Sequence, residues 1–171
     1  MYNNWKEDLK ELKYQHMERK TPNAFIASGG RTMTLKPYCD KTSNGLTNCI
    51  LDYINFSGGS ATRINTMGTA RKENIEFAGG NYREKLSFTP STTRKGTADI
   101  KGTYKGFSLD IEVKIGSDKL SSHQIKEQQR IQSAGGVYLV AKSMPHFLEQ
   151  WDPIRRRLDA ASNAIDLLTT K

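Results

Sequence analysis

The sequence predicts an α/β fold, with a mixed β-sheet flanked by helices. Two strands joined by a tight turn at Lys105-Gly106 are predicted at residues 97–104 and 107–115. A helix predicted at about residues 122–134 then leads to a short apolar strand at 137–141. The order strand, helix, strand requires a crossover and therefore a partly parallel pairing, so the sheet is expected to be mixed.

Two amphipathic helices are predicted upstream of this unit. Apolar side chains recur at helical spacing over residues 4–20, and Thr21-Pro22-Asn23 ends that N-terminal helix. The second helix covers residues 46–56 and stops at Ser57-Gly58-Gly59, because glycine readily adopts the left-handed conformation at a helix end. A short strand is expected at residues 60–67.

The remaining segments are a basic insertion and a C-terminal helix. Residues 68–95 are rich in Gly, Arg, Lys, Thr and Asn and too long for an ordinary connection, so we expect a basic flap with a hairpin around 76–88. An apolar stripe predicts the C-terminal helix at 153–168. We expect one domain over residues 1–171, with its core at about 44–142.

The charge of the chain favours a polyanionic partner. The 171 residues include 26 Lys and Arg against 18 Asp and Glu, a formal net charge of +8. Nucleic acid is the usual partner of so basic a domain. The alternative is that the excess of lysine only aids solubility.

The cellular location expected from the sequence is the cytoplasm. No apolar run approaches the roughly 18 residues that a membrane span needs, and the N-terminus has no apolar signal segment. Cys39 and Cys49 are too few for a disulfide framework and fit no zinc motif, so free thiols in a reducing compartment are expected.

Three residues on the two central strands suggest a metal site. Asp99 lies near the middle of the first predicted strand, while Glu112 and Lys114 project from one face of the next. If the strands pair as a hairpin, Asp99 meets Glu112, and with the main-chain oxygen of Val113 they form a hard-oxygen site for Mg²⁺ or Mn²⁺. Such a metal activates water and stabilises charge on a phosphate, and a nearby lysine assists. The alternative is a set of solvated cross-strand pairs.

The order of short motifs around these residues resembles a nuclease family. The motifs are Gly96-Thr97-Ala98-Asp99-Ile100, Gly106-Phe107, Ile111-Glu112-Val113-Lys114, Leu120-Ser121, Gln124 and Ala134-Gly135-Gly136-Val137-Tyr138. Together they resemble the VRR-NUC branch of the PD-(D/E)xK nuclease superfamily. A weaker likeness continues upstream through Ile50-Leu51-Asp52-Tyr53-Ile54, Gly58-Gly59 and Arg63-Ile64-Asn65.

This resemblance implies a restriction-endonuclease-like core and a divalent-metal-dependent DNA endonuclease. Asp99 and Glu112 would be the metal ligands together with the main-chain oxygen of Val113, and Lys114 would be the catalytic lysine. Gln124 matches a glutamine that the family places beside the site, and it is also suited to cap the following helix. The residues expected to contact DNA are Arg63, Asn65, Arg71, Lys72, Arg94 and Lys95.

One position departs from the family pattern. Members usually carry a glutamate at the start of the first core helix, where this chain reads Ser43-Asn44-Gly45, with Asp40 the nearest acid upstream. Three alternatives stay open: Asp40 substitutes for the glutamate, the site holds one metal, or the protein is a weak catalyst.

The leading hypothesis is therefore a structure-selective endonuclease that cuts branched or junction DNA with Mg²⁺ or Mn²⁺. A homodimer would help it to cut two strands, and the resemblance suggests a phage-encoded protein acting in the host cytoplasm. The main alternative is a non-catalytic DNA-binding protein on a nuclease-like scaffold. A third hypothesis is that the chain binds another protein. It would then show no salt-dependent affinity for DNA.

Overall fold

The computed structural model describes residues 2–64, 69–77, 81–89 and 93–169. Its helices are α1 (Trp5–Lys20), α2 (Pro22–Ala27), α3 (Ser43–Phe56), α4 (Ser122–Ser133) and α5 (Met144–Thr169), with a 3₁₀ turn at Gly30–Thr32. Its strands are β1 (Ser60–Arg63), β2 (Thr69–Phe77), β3 (Asn81–Thr89), β4 (Ile100–Tyr104), β5 (Phe107–Val113) and β6 (Val137–Ala141).

Four of these strands form a mixed sheet in the order β1-β4-β5-β6. The β1–β4 and β4–β5 pairs are antiparallel, whereas β5 and β6 are parallel and are connected through α4. Lys105 and Gly106 both have positive φ, 51° and 85°, as a two-residue hairpin turn requires. The predicted mixed α/β sheet with flanking helices is confirmed.

Helices cover both faces of this sheet. On one face, apolar side chains from α1, α3 and α5 pack against alternate residues of the central strands, including Ile100, Ile111 and Leu139. On the other face, α4 contributes Ile131, which packs against Tyr138. The main buried cluster therefore draws on both terminal helices as well as on residues 44–142.

The C-terminal helix begins at Met144, so the predicted start at residue 153 is wrong. Asp40 Oδ2 accepts a hydrogen bond from the Met144 amide at 2.9 Å and thereby satisfies a donor of the first turn. Pro153 lies inside the helix, although proline is most common at helix starts. One side of the helix before the proline is held in the core by Met144, Phe147 and Trp151, each with no exposed surface.

Strand β4 is shorter at its start than predicted. It begins at Ile100, so Asp99 immediately precedes the strand and does not lie near its middle. The Asp99 carboxylate accepts a hydrogen bond from the Val113 amide at 2.9 Å. The main-chain carbonyl of Asp99 accepts a second one from the Ile64 amide at 2.8 Å. Asp99 is thus fixed between the ends of β1 and β5.

The basic insertion contains a longer hairpin than predicted. Strands β2 and β3 pair from Thr69 opposite Thr89 to Phe77 opposite Asn81, and they form a separate two-stranded sheet. The side chains of Lys72 and Leu86 are exposed, so the ribbon shows no alternation of buried and exposed positions by which its full length could be recognised.

Several other expectations concern single elements. Helix α3 begins earlier than predicted, at Ser43, because the Thr42 side chain accepts a hydrogen bond from the Gly45 amide. Strand β5 ends at Val113, two residues before the predicted end. Both cysteines are free. Within the described ranges, no helix combines the length and the apolar character needed to cross a membrane.

Candidate functional site

The structure brings together the three residues that the sequence analysis placed at the centre of the site. Glu112 and Lys114 lie on the same face at the end of β5, with Lys114 Nζ 3.1 Å from Glu112 Oε1. Ile100 pairs with Ile111, so the same register continued by one residue places Asp99 opposite Glu112. The predicted meeting of the two carboxylates across the strand pair is consistent with this geometry.

Gln124 connects the start of α4 to the site. Its Oε1 accepts a hydrogen bond from the Ser121 amide at 2.9 Å, and Ser121 Oγ accepts one from the Gln124 amide at 3.3 Å. These two bonds form the predicted capping box. The amide nitrogen of the same side chain donates to Glu112 Oε1. Gln124 therefore caps the helix and holds the carboxylate at the same time.

The approach of the preceding loop to α4 depends on Gly96. This residue has φ +85°, and a Cβ placed on it would lie 2.4 Å from the His123 carbonyl oxygen. Only glycine combines that backbone conformation with so close a contact. Gly96 thus fixes the segment that carries Asp99 against the first turn of α4.

The acidic side chains on this face of β5 are buried beneath α4. Glu112 is 2% exposed and Asp110 is 1% exposed, so solvated cross-strand pairs do not describe them. Asp110 is paired with Lys101 at 2.8 Å, and Glu127 of α4 is paired with Arg130 at 2.6 Å. Simple alternation along the strand gave no signal of this buried polar layer, because the helix that covers it comes later in the chain.

Glu112 is the member of this layer with an unusual electrostatic environment. Burial, and then the neighbouring charge of Asp99, raise the pKa of Glu112 to about 6, even though Lys114 acts in the opposite direction. Its Oε2 atom is buried and has no hydrogen-bond partner among the residues that the structure describes. An ionised carboxylate in such a position is costly unless a cation or a donor reaches it.

These donors fit one hydrated divalent metal ion. Carboxylate oxygens are the ligands that Mg²⁺ and Mn²⁺ prefer, and Mg²⁺ is commonly held by one or two carboxylates while it keeps several waters. Asp99 and the unpartnered oxygen of Glu112 supply such a pair. Across the described residues, no group of three or more His, Cys, Asp or Glu side chains is suited to hold a metal ion.

The start of α3 holds no acidic group that joins this pair. The family resemblance implies a glutamate in this region, which reads Ser43-Asn44-Gly45, and Asn44 Oδ1 accepts a hydrogen bond from Arg63 Nη2 at 2.8 Å. Asp40 instead bonds the amide of Met144 at the start of α5. Of the three alternatives for the departure from the family pattern, substitution by Asp40 receives no support from this geometry.

The residues expected to contact DNA differ in their exposure and in whether they form ion pairs. Lys72 forms an ion pair with Glu84 at 3.1 Å, and Arg94 lies 3.9 Å from Glu127. Arg71 and Lys95 are exposed, while Asn65 lies outside the described residues. Two basic residues that the sequence analysis missed, Arg83 and Lys85, also lie on the hairpin; their period-two spacing was the available signal.

Comparison with known proteins assigns the chain to no family. No model of a known protein family matches the chain, and no curated protein matches it either.

Proposed function

We propose that this protein is a divalent-metal-dependent DNA endonuclease with a restriction-endonuclease-like core of the VRR-NUC kind. The observation that carries the proposal is the buried, unpartnered Oε2 of Glu112 beside Asp99 and Lys114. Asp110 in the same layer has its carboxylate 2.8 Å from Lys101 Nζ, whereas the described residues offer neither a cation nor a hydrogen-bond donor to Glu112 Oε2. A metal ion is the simplest group that removes the cost of two adjoining carboxylates.

Each residue of the site has a definable role in phosphodiester hydrolysis. A bound Mg²⁺ or Mn²⁺ would supply a water of lowered pKa and would stabilise charge on the phosphate. The Val113 amide orients Asp99, and Gln124 orients Glu112, so both carboxylates are positioned before a ligand arrives. Lys114, beside Glu112, supplies a positive charge next to the phosphate oxygens as negative charge develops on them.

The order of elements supports the same proposal. The acidic residues lie at the ends of an antiparallel pair, β4 and β5, and the following helix α4 crosses to the parallel strand β6. In the resemblance described above, the same order of strand pair, helix and strand accompanies the metal-binding residues. The net charge of +8 supports a nucleic acid as substrate.

The proposed substrate is branched or junction DNA, which a homodimer would be suited to cut on both strands. A non-catalytic DNA-binding protein is the second candidate. It is favoured by one observation, the presence of Asn44 where a further carboxylate was expected. The two candidates differ in whether a bound metal produces cleavage.

The test is a cleavage assay with labelled linear, flapped and four-way-junction DNA in Mg²⁺, Mn²⁺ or EDTA. The wild type is compared with two variants. Asp99→Ala removes the proposed ligand, and the control Asp118→Ala removes an exposed aspartate by the same substitution. We expect metal-dependent cutting by the wild type and by Asp118→Ala, fastest on a branched substrate, and none by Asp99→Ala. A folded wild type that binds every substrate and cuts none would leave the DNA-binding candidate in its place.

A further inference from the structure

We propose that the β2–β3 hairpin is an arm that binds duplex DNA through one of its two faces, the face that carries Arg71, Arg83 and Lys85. This inference rests on the proposed function only for the identity of the substrate as DNA. It adds a binding surface that is separate from the site of Asp99 and Glu112.

The two faces of the hairpin differ in charge. In the register of the pair, Arg71 lies opposite Ser87, Glu73 opposite Lys85, and Ile75 opposite Arg83. Directly opposed residues and every second residue along a strand share a face, so the three basic residues lie together. One carboxylate, that of Glu73, lies on the same face. It accepts a hydrogen bond from the Ser87 hydroxyl at 3.3 Å.

The opposite face carries no excess of positive charge, because the register places Glu76 there as well as Lys72 and Glu84. It carries Lys72 and Glu84, which are paired at 3.1 Å, and Leu86, which is 69% exposed. By contrast, Arg71, Arg83 and Lys85 form no ion pair with any described residue and are exposed. Three unpaired cations along one side of a ribbon match the regularly spaced negative charges of a phosphate backbone.

The chain segments that lead to and from the arm meet beside the candidate site. The chain leaves the main sheet after Ile64 and returns before Asp99, and the Ile64 amide donates to the Asp99 carbonyl at 2.8 Å. Strands of nine residues span about 30 Å, close to the length of nine base pairs of duplex at about 3.4 Å each. A two-stranded ribbon of this kind also fits the major groove.

The arm is therefore expected to hold duplex DNA that flanks the point of cleavage. We would measure the affinity of the full chain for a labelled duplex in EDTA over a range of salt concentrations. The test variant is Arg71→Ala/Arg83→Ala/Lys85→Ala. Lys6→Ala/Arg19→Ala/Lys20→Ala removes the same charge from exposed positions of α1 and is the matched control.

The arm variant should lose roughly 10²-fold in affinity near 0.1 M salt, and the slope of log affinity against log salt should become shallower by about 2.7. The α1 control should change far less. Arg71→Ala should weaken binding more than Lys72→Ala does, because Lys72 lies on the opposite face of the hairpin. Circular dichroism checks that each variant is folded.

Equal losses in the arm variant and the α1 control would overturn the proposal, as would equally tight binding of single-stranded DNA of the same length. The outcome is separable from that of the proposed function. Arm-dependent binding without metal-dependent cleavage would support the arm and reject the nuclease. If the arm variant binds DNA as tightly as the wild type and still cuts it, the arm is rejected and the nuclease is supported.

Discussion

The side-chain amide of Gln124 donates a hydrogen bond to Glu112 while its carbonyl oxygen completes the cap of α4. One residue thus links the start of a helix to the orientation of the buried carboxylate. Gln124 thus contributes both to helix stability and to the position of the Glu112 carboxylate, whereas the Ser121 hydroxyl forms no hydrogen bond with Glu112. Substitutions at the two positions can therefore separate the two roles.

Ser121→Ala should affect stability alone, whereas Gln124→Ala should affect stability and catalysis. Loss of the Ser121 hydroxyl removes a helix cap worth about 1 kcal/mol. Gln124→Ala removes the reciprocal bond of the cap and also releases Glu112. We expect Gln124→Ala to decrease the free energy of unfolding more than Ser121→Ala does, because it also removes a hydrogen bond from buried Glu112, and we expect a decrease in cleavage rate only for Gln124→Ala. Equal rates for the two variants would show that Gln124 acts only as a cap.

Lys114→Ala should slow cleavage by roughly 10²-fold, the effect of removing one preorganised electrostatic group. Lys101 provides a close control because it also pairs with a buried carboxylate on this face, Asp110, at 2.8 Å. Lys101→Ala should lower the melting temperature but should retain the cleavage rate per folded molecule. Single-turnover rates at a temperature where both variants are folded give the comparison. Similar rates for the two would contradict the role given to Lys114.

Glu112 should make the metal-free protein less stable as the pH rises. Its pKa in the folded protein, about 6, is above the ordinary value of 4.5. The folded state therefore binds this proton more tightly than the unfolded state does. The resulting stabilisation is fully present below pH 4.5 and is lost as the pH rises through 6, a change of about 2 kcal/mol.

Glu112→Gln isolates this effect because glutamine is neutral at every pH. We expect the wild type, measured in EDTA by urea unfolding, to lose stability relative to Glu112→Gln between about pH 4.5 and pH 6.5. Mn²⁺ should restore stability to the wild type at neutral pH and should have little effect on the variant. A difference between the two proteins that does not vary with pH would show that the Glu112 carboxylate is not destabilised by its surroundings.

Gly96→Ala should be far more damaging than Gly106→Ala. Both glycines have φ +85°, so alanine pays a similar backbone penalty of roughly 1 to 2 kcal/mol at either position. Only at Gly96 does the new Cβ also meet a backbone atom, the carbonyl oxygen of His123 at 2.4 Å, whereas nothing lies within 4 Å at Gly106. Thermal unfolding of the two variants measures the difference, and equal losses would show that the loop relaxes freely.

The parts of the fold that the sequence predicted well are those set by neighbouring residues. The turn at Lys105-Gly106 and the cap formed by Ser121 and Gln124 both depend on signals within a few positions. The start of α5 also had a local signal that the sequence analysis missed: Ser143 Oγ accepts a hydrogen bond from the His146 amide at 3.3 Å, and Pro145 lies in the first turn. The hydrogen bond from Met144 to Asp40, residues 104 positions apart, could not be predicted in this way.

The candidate site was likewise predictable only in part. Spacing along the strands suggested Asp99, Glu112 and Lys114, and the order of the motifs around them, which carries the family resemblance, selected them as a site. The burial of Glu112 was not predictable from the strand, because it depends on α4 packing over that face. The separation of Lys72 from Arg71 onto opposite faces of the hairpin required the register of β2 and β3.

The most direct test of the account is the Mn²⁺-dependent cleavage of branched DNA by the wild type and by Glu112→Gln. The substitution keeps the size of the side chain and an oxygen that can accept from Gln124, and at neutral pH it removes a destabilising charge. We predict that Glu112→Gln is at least as stable as the wild type and binds the same DNA, yet does not cut it. Cleavage by Glu112→Gln at the wild-type rate would contradict the proposed metal site.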